Sequence, residues 1–129
     1  MSIELSRWRL EKAERTFREG EQLLEAGSYN GAINRFYYAA FHAARALLAL
    51  KRLDSAKHSG VISLFNREFV KPGLISKEAS TTLSRLFNLR AEADYDDFKS
   101  FTLEEAEEAK DAVRSLIDEV SAFLANISR

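Results

Sequence analysis

The chain has 129 residues, 46% hydrophobic and 30% charged, which suits one soluble domain around one core and excludes a disordered chain. Nineteen Lys and Arg against twenty Asp and Glu leave a formal charge of -1, so any nucleic-acid contact has to use a local patch, not a general positive excess. There is no cysteine, which removes disulfides, thiolate metal sites and thiol nucleophiles, and no apolar run approaches the roughly 20 residues that span a bilayer.

The first residues lack the apolar stretch of a secretory leader, so a cytoplasmic protein is expected. One proline and five glycines argue against an all-β fold, which needs many turns. A first helix is predicted from about Ile3 to Ala26, with Leu5, Trp8, Ala13, Phe17 and Leu24 as its apolar set and Gly27 as its stop. Ser28 or Asn30 caps a second helix that reaches about Lys51. A polar connector, Leu53 to Lys57, leads to a short third helix, His58 to Val70, with Val61, Ile62, Leu64, Phe65 and Phe69 inward; Pro72-Gly73 breaks it. Ser76 begins a fourth helix running to about Ala93, and Asp94 to Ser100 reads as a loop or an irregular helix end. Thr102 and Glu105 have capping-box spacing and open a fifth helix to about Asn126. The fold expected is all-α: an up-and-down four-helix bundle with a short extra helix, one domain over residues 1–129.

Three places carry candidate chemistry. The second helix is apolar nearly all round, yet Arg35, Tyr38, His42 and Arg45 fall on one stripe of it. Charges there must be paired or face a cleft, so the stripe lines either a cleft or dimer seam, or a set of structural ion pairs. Next comes RAEADYDD, Arg90 to Asp97, in which Arg90 and Asp94 continue the core stripe of Leu86. Arg90 can hold a phosphate with its planar fork, or simply pair with Asp94 one turn on. The third is Lys57-His58 at a helix start, where an anion is favoured, against the reading of an exposed connector capped by Ser59. The acids do not form a calcium loop, because Lys99 takes the position that needs glycine, and two distant histidines do not make a zinc site. No glycine-rich phosphate loop or nucleophile elbow is present, so no metal and no cofactor is expected.

AINRFYYAAFHAARALL (Ala32 to Leu48), KHSGVISLFNREFV (Lys57 to Val70) and RAEADYD (Arg90 to Asp96), in this order and spacing, resemble the HEPN domain family, and within it the small stand-alone prokaryotic members. The resemblance covers nearly the whole chain. It implies a helical bundle that pairs into homodimers, is encoded beside a minimal nucleotidyltransferase as the toxin half of a toxin–antitoxin pair, and acts on RNA as a metal-independent ribonuclease. The family's catalytic motif is an arginine followed after four to six residues by a histidine. Arg90 matches the arginine; no histidine follows it, and Tyr95 stands five positions on. A histidine must then reach Arg90 from elsewhere, and His42 and His58 are the only two in the chain. On this reading Arg90 holds the phosphate, a histidine moves the proton, and Asp94 orients a cation. Tyr95 stacks on a base or accepts a nucleotide from the partner, and Arg35, Tyr38, Arg45 and Lys57 help to bind. The alternative is a non-catalytic dimeric module that binds a nucleotide or a protein.

Overall fold

Tyr29–Leu50 forms the central helix, α2, and thirteen of its residues are buried, on every side of the helix. Five of these are alanines between Ala39 and Ala46, small enough to let neighbouring backbones approach on several faces at once. Around α2 lie α1 (Ser2–Glu25), α3 (His58–Phe65), α4 (Lys77–Tyr95) and α5 (Leu103–Ile127), all in contact with it. This computed structural model describes residues 2–95 and 98–127. Among them there is no strand, and the architecture is the expected all-α bundle with a short extra helix. No described helix is long and apolar enough to cross a membrane.

Local chemistry sets the helix ends. Gly27, at φ +78°, closes α1: its N–H reaches Leu24 O and the N–H of Ser28 reaches Leu23 O, the paired bonds of a glycine-terminated helix. The end of α2 has the same pattern without glycine. Arg52 adopts φ +56° while Leu53 N–H bonds Leu48 O, a left-handed residue that sequence alone does not announce. Ser28 precedes α2 but its side chain makes no capping bond, and Asn30, the other expected cap, does different work described below. The third helix changes character midway: after Phe65 it continues as a π-helical segment, Asn66–Val70, before the break at Pro72-Gly73. Ser76 precedes α4 and caps it, accepting from Ala79 N–H at 3.1 Å. The Thr102–Glu105 box forms as expected, with reciprocal bonds of 3.0 and 3.1 Å.

The core is one continuous cluster that includes Phe17, Phe36, Tyr37, Leu47, Phe65, Leu83, Leu86 and Ile117. Two expected core residues of α1 lie outside it: Leu5 is 44% exposed and Trp8 53%. Ile62 and Leu64 are only partly buried against the cluster. Arg114 of α5 ties α1 down through two bonds to Glu14, at 3.0 and 2.7 Å, while lying over the Phe17 ring. At the other end of α1, Ser6 Oγ donates to Ala46 O and Arg9 to Arg45 O, which fixes α1 lengthwise along α2.

Candidate functional site

Arg90 sits one turn beyond Leu86, where α4 leaves the core, so its side chain is only 18% exposed while its tip reaches an opening. The guanidinium lies over three aromatic rings, Tyr37 at 5.2 Å, Tyr38 at 5.8 Å and Phe87 at 5.9 Å. Nη1 donates to Asp94 Oδ2 at 2.8 Å, the i to i+4 pair that the spacing suggests. Nε is buried and has no hydrogen-bond partner among the described residues. Beside it opens a hollow of about 240 Å³, walled by Asn30, Ile33 and Asn34 from the start of α2, by Arg90, Ala93 and Asp94 from the end of α4, and by Phe101. Asn30 shapes this hollow. Its Nδ2 donates to Lys99 O at 2.9 Å and its Oδ1 accepts from Phe101 N–H at 2.8 Å, so the approach to α5 is strapped across the start of α2.

His58 begins α3 and turns back onto the aromatic rings that carry Arg90. Its ring stacks on Phe41 at 4.2 Å, lies 5.7 Å from Tyr38, 5.8 Å from Tyr37 and 6.3 Å from Phe87, and its Nδ1 is 2.7 Å from the Tyr37 hydroxyl. Burial, then the charge of Arg90, then that of Arg45, hold the His58 pKa below the ordinary histidine value. The imidazole is therefore neutral near pH 7 and can accept a proton. Tyr37 is pushed well above its usual pKa, chiefly by burial, and stays a neutral phenol.

His42 belongs to a different environment. Burial is the main cause that takes its pKa down to about 4, and the cations Lys12, Arg45, Arg35 and Arg9 follow. Its Nδ1 is buried with no partner among the described residues. It contacts Tyr38 at 6.3 Å, the ring it shares with His58, but Arg90 is not among the groups that act on it. Of the second-helix stripe, Arg45 is engaged by Asp54 through bonds of 3.2 and 2.7 Å, and Arg9 meets the same carboxylate at 3.3 Å. Arg35 donates twice to Asn34 Oδ1, at 3.2 and 2.9 Å, reaches Glu19 at 3.7 Å, and stacks over Tyr38 at 5.2 Å. Lys57 is exposed in the N-cap position of α3. Tyr95 ends α4 and is 89% exposed; Asp96 and Asp97, the last acids of the RAEADYDD motif, lie outside the described residues.

Arg90, Asp94, Tyr38 and His58 thus share one end of the bundle, while Arg45 is held by the α2–α3 connector. Tyr37, Phe41, Phe87, Asn30 and Asp54 complete the surroundings, and none of them was expected from sequence as a site residue. The FYYAAF run carried a signal for Tyr37, since adjacent residues of a helix point about 100° apart and a tyrosine beside Tyr38 must face inward when Tyr38 faces the opening.

The model of the HEPN domain matches residues 6–123. The chain belongs to the HEPN domain family. Curated HEPN relatives include a "UPF0332 protein" of Thermotoga maritima, 36% identical over 125 residues, covering 95% of this chain and 92% of that protein. Two proteins of Methanocaldococcus jannaschii also match. "Putative toxin MJ0605" is 37% identical across 92% of this chain and 87% of its own length; "Putative toxin MJ0142" is 37% identical across 76% and 67%.

Proposed function

We propose that this HEPN chain is the toxin-like component of a two-gene toxin–antitoxin system and that its Arg90 hollow takes a phosphate of RNA. The toxin part of the reading is supported by the printed names of the Methanocaldococcus relatives. One observation carries the site: among the described residues, Arg90 keeps a buried, unpartnered Nε and a single carboxylate partner beside an open hollow. A guanidinium offers five donors in a planar fork, so a phosphate there would complete a set that Asp94 only begins.

His58 then supplies the proton acceptor that the turn after Arg90 lacks. In the tautomer whose Nδ1–H donates to the Tyr37 oxygen, 2.7 Å away, Nε2 is left as the base. The ribose 2′-hydroxyl gives its proton to Nε2 and its oxygen bonds to the adjacent phosphorus. The bond from phosphorus to the 5′-oxygen breaks, and that oxygen leaves with a proton taken from water. The products are a 2′,3′-cyclic phosphate and a free 5′-hydroxyl. Arg90 stabilises the charge gathering on the phosphoryl oxygens. Asp94 orients Arg90, and the exposed Tyr95 hydroxyl is accessible to a nucleotidyltransferase partner. Lys57 adds a cation at the edge of the site, next to His58.

The test is cleavage of an unstructured RNA in the presence of a chelator. Wild type is expected to cut, with Arg90→Ala slower by at least about 100-fold and His58→Asn by about 100- to 10,000-fold. Equal cleavage by wild type and Arg90→Ala would eliminate the assignment. A second reading, a non-catalytic nucleotide-binding module, is favoured by the Tyr37 bond that already occupies one nitrogen of His58. It predicts a nucleotide that raises the melting temperature without turnover.

A further inference from the structure

The hollow at Arg90 leaves unused a face built by α1 and α2, along which aromatic and cationic side chains alternate. The Trp8 ring carries the Lys12 ammonium at 5.6 Å from its centre. Lys12 is the first of the cations that act on His42, and His42 lies 6.3 Å from the Tyr38 ring. Tyr38 in turn carries Arg35 at 5.2 Å and Arg90 at 5.8 Å. The line therefore passes from an exposed tryptophan, by way of Lys12, His42 and Tyr38, toward the hollow. The stretch of α2 from Arg35 to Arg45, ten residue steps, rises about 15 Å, long enough to lie along a short run of nucleotides.

The charge balance of this face differs from that of the chain. The charges of Arg9, Lys12, Arg35 and Arg45 all act on His42. Among the described residues, two carboxylates pair with these cations: Asp54, which Arg9 and Arg45 share, and Glu19, which meets Arg35 only at 3.7 Å. Four cations thus share two paired carboxylates, on a molecule of formal charge -1. Trp8 stays 53% exposed on the same side, although the helix that bears it buries Ala13 and Phe17 fully or nearly so. A cationic flank with aromatic rings at intervals suits a flexible polyanion whose bases can stack, and it suits an apolar protein surface poorly.

We propose that this α1–α2 face is a second binding site, a track for single-stranded RNA leading to the Arg90 hollow, in which Trp8 stacks on a base and Lys12 and Arg35 hold phosphates. The inference rests on the RNA reading of the hollow but assigns a separate surface. It has a direct reporter, because Trp8 is the single tryptophan of the chain.

The experiment titrates the full chain with a 2′-O-methyl oligouridylate of about ten nucleotides, which binds as single-stranded RNA does but lacks the attacking hydroxyl. Trp8 emission is expected to be quenched on binding. Lys12→Gln is expected to weaken binding about 5- to 10-fold and to flatten the salt dependence by about 0.7 in log–log slope, the share of one phosphate contact on a single strand. Trp8→Leu, followed by anisotropy of a labelled oligonucleotide, is expected to lose about 5- to 30-fold. Circular dichroism confirms that both surface variants remain folded. If labelled RNA binds and is cut in an Arg90-dependent way while Trp8 emission stays constant, the track is overturned and the hollow keeps its assignment. If Trp8 emission follows protein concentration and ignores RNA, a second copy of the chain covers this face, and the track is again overturned. Quenching of Trp8 by the probe, with no cleavage of the unmodified RNA of the same sequence, supports the track and counts against catalysis at Arg90.

Discussion

His42 and His58 lie within 6.3 and 5.7 Å of the same Tyr38 ring, yet they have opposite surroundings. His58 has a hydroxyl partner and a neighbour, Arg90, that an anionic substrate would neutralise. His42 has neither; it is held neutral by burial and by cations of α1 and α2, with a pKa of about 4. Because its folded pKa lies below the unfolded value of about 6.5, the unfolded chain takes up the proton first as pH falls. Stability contributed by the neutral ring is full above about pH 6.5 and is lost progressively toward pH 4, by on the order of 3 kcal/mol at the acid end. The same sign applies to His58, and Asp54, whose pKa is lowered by its bonds to Arg45, adds its own loss only below the ordinary carboxylate range. Urea denaturation at several pH values between 7 and 5 is therefore expected to show falling stability, with His42→Gln removing most of the slope. An unchanged slope in the variant would remove His42 as the cause. At this scale the sequence was half legible. The position of Arg90 on the stripe of Leu86 marked it out, and its Asp94 pair follows from i to i+4 spacing. The Tyr37–His58 bond joins residues 21 apart through the return of α3, and the Asp54 clamp joins α1, α2 and the connector. No local periodicity encodes contacts of that range.

Among the elements, α1 shows where pattern reading succeeds and where it stops. Its end at Gly27 was legible because a left-handed residue there favours glycine, and the Thr102–Glu105 box and the Pro72-Gly73 break were legible for similar local reasons. Its outward-facing Leu5 and Trp8 were not, since periodicity marks apolar residues but not how wide an arc the neighbouring helices can cover. Gly20 reads as a weak point inside the helix, yet the packing requires it. A Cβ at Gly20 would stand 2.5 Å from Phe36 Cε1, on a ring that is fully buried and also packs against Phe17 at 5.3 Å. Alanine would gain about 1 kcal/mol in helix propensity, but overpacking a core ring costs about 1–3 kcal/mol. Gly20→Ala is accordingly expected to lower the denaturation midpoint, and Gly20→Ala with Phe36→Leu to recover part of the loss. A Gly20→Ala variant more stable than wild type would show that Phe36 yields easily, and that α1 and α2 are less closely fitted at this level than their contacts imply.

For the whole molecule, the homodimer that the family resemblance implies is the point at which the site would become complete or stay half-formed. The hollow opens at the end of the bundle where Tyr95, Phe98 and Leu103 expose apolar surface around the turn between α4 and α5. Two chains joined beside this end would set two Arg90 guanidiniums along one groove. Their mutual repulsion would be relieved by a phosphate backbone, so assembly and RNA binding would favour each other. Such a dimer binds only folded chains, and its melting temperature must rise with protein concentration between roughly 1 and 100 μM. Leu103→Glu offers a clean perturbation. Leu103 is the first residue of α5, where a carboxylate favours the helix dipole, so the variant monomer should fold as well as wild type. At a desolvated seam the same charge is expected to weaken dimerisation by at least about tenfold, an effect of about 1.4 kcal/mol that sedimentation velocity resolves. A wild-type melting temperature independent of concentration, together with a monomer in the centrifuge, would confine each site to one chain and leave His58 and Arg90 of that chain to do the chemistry unaided.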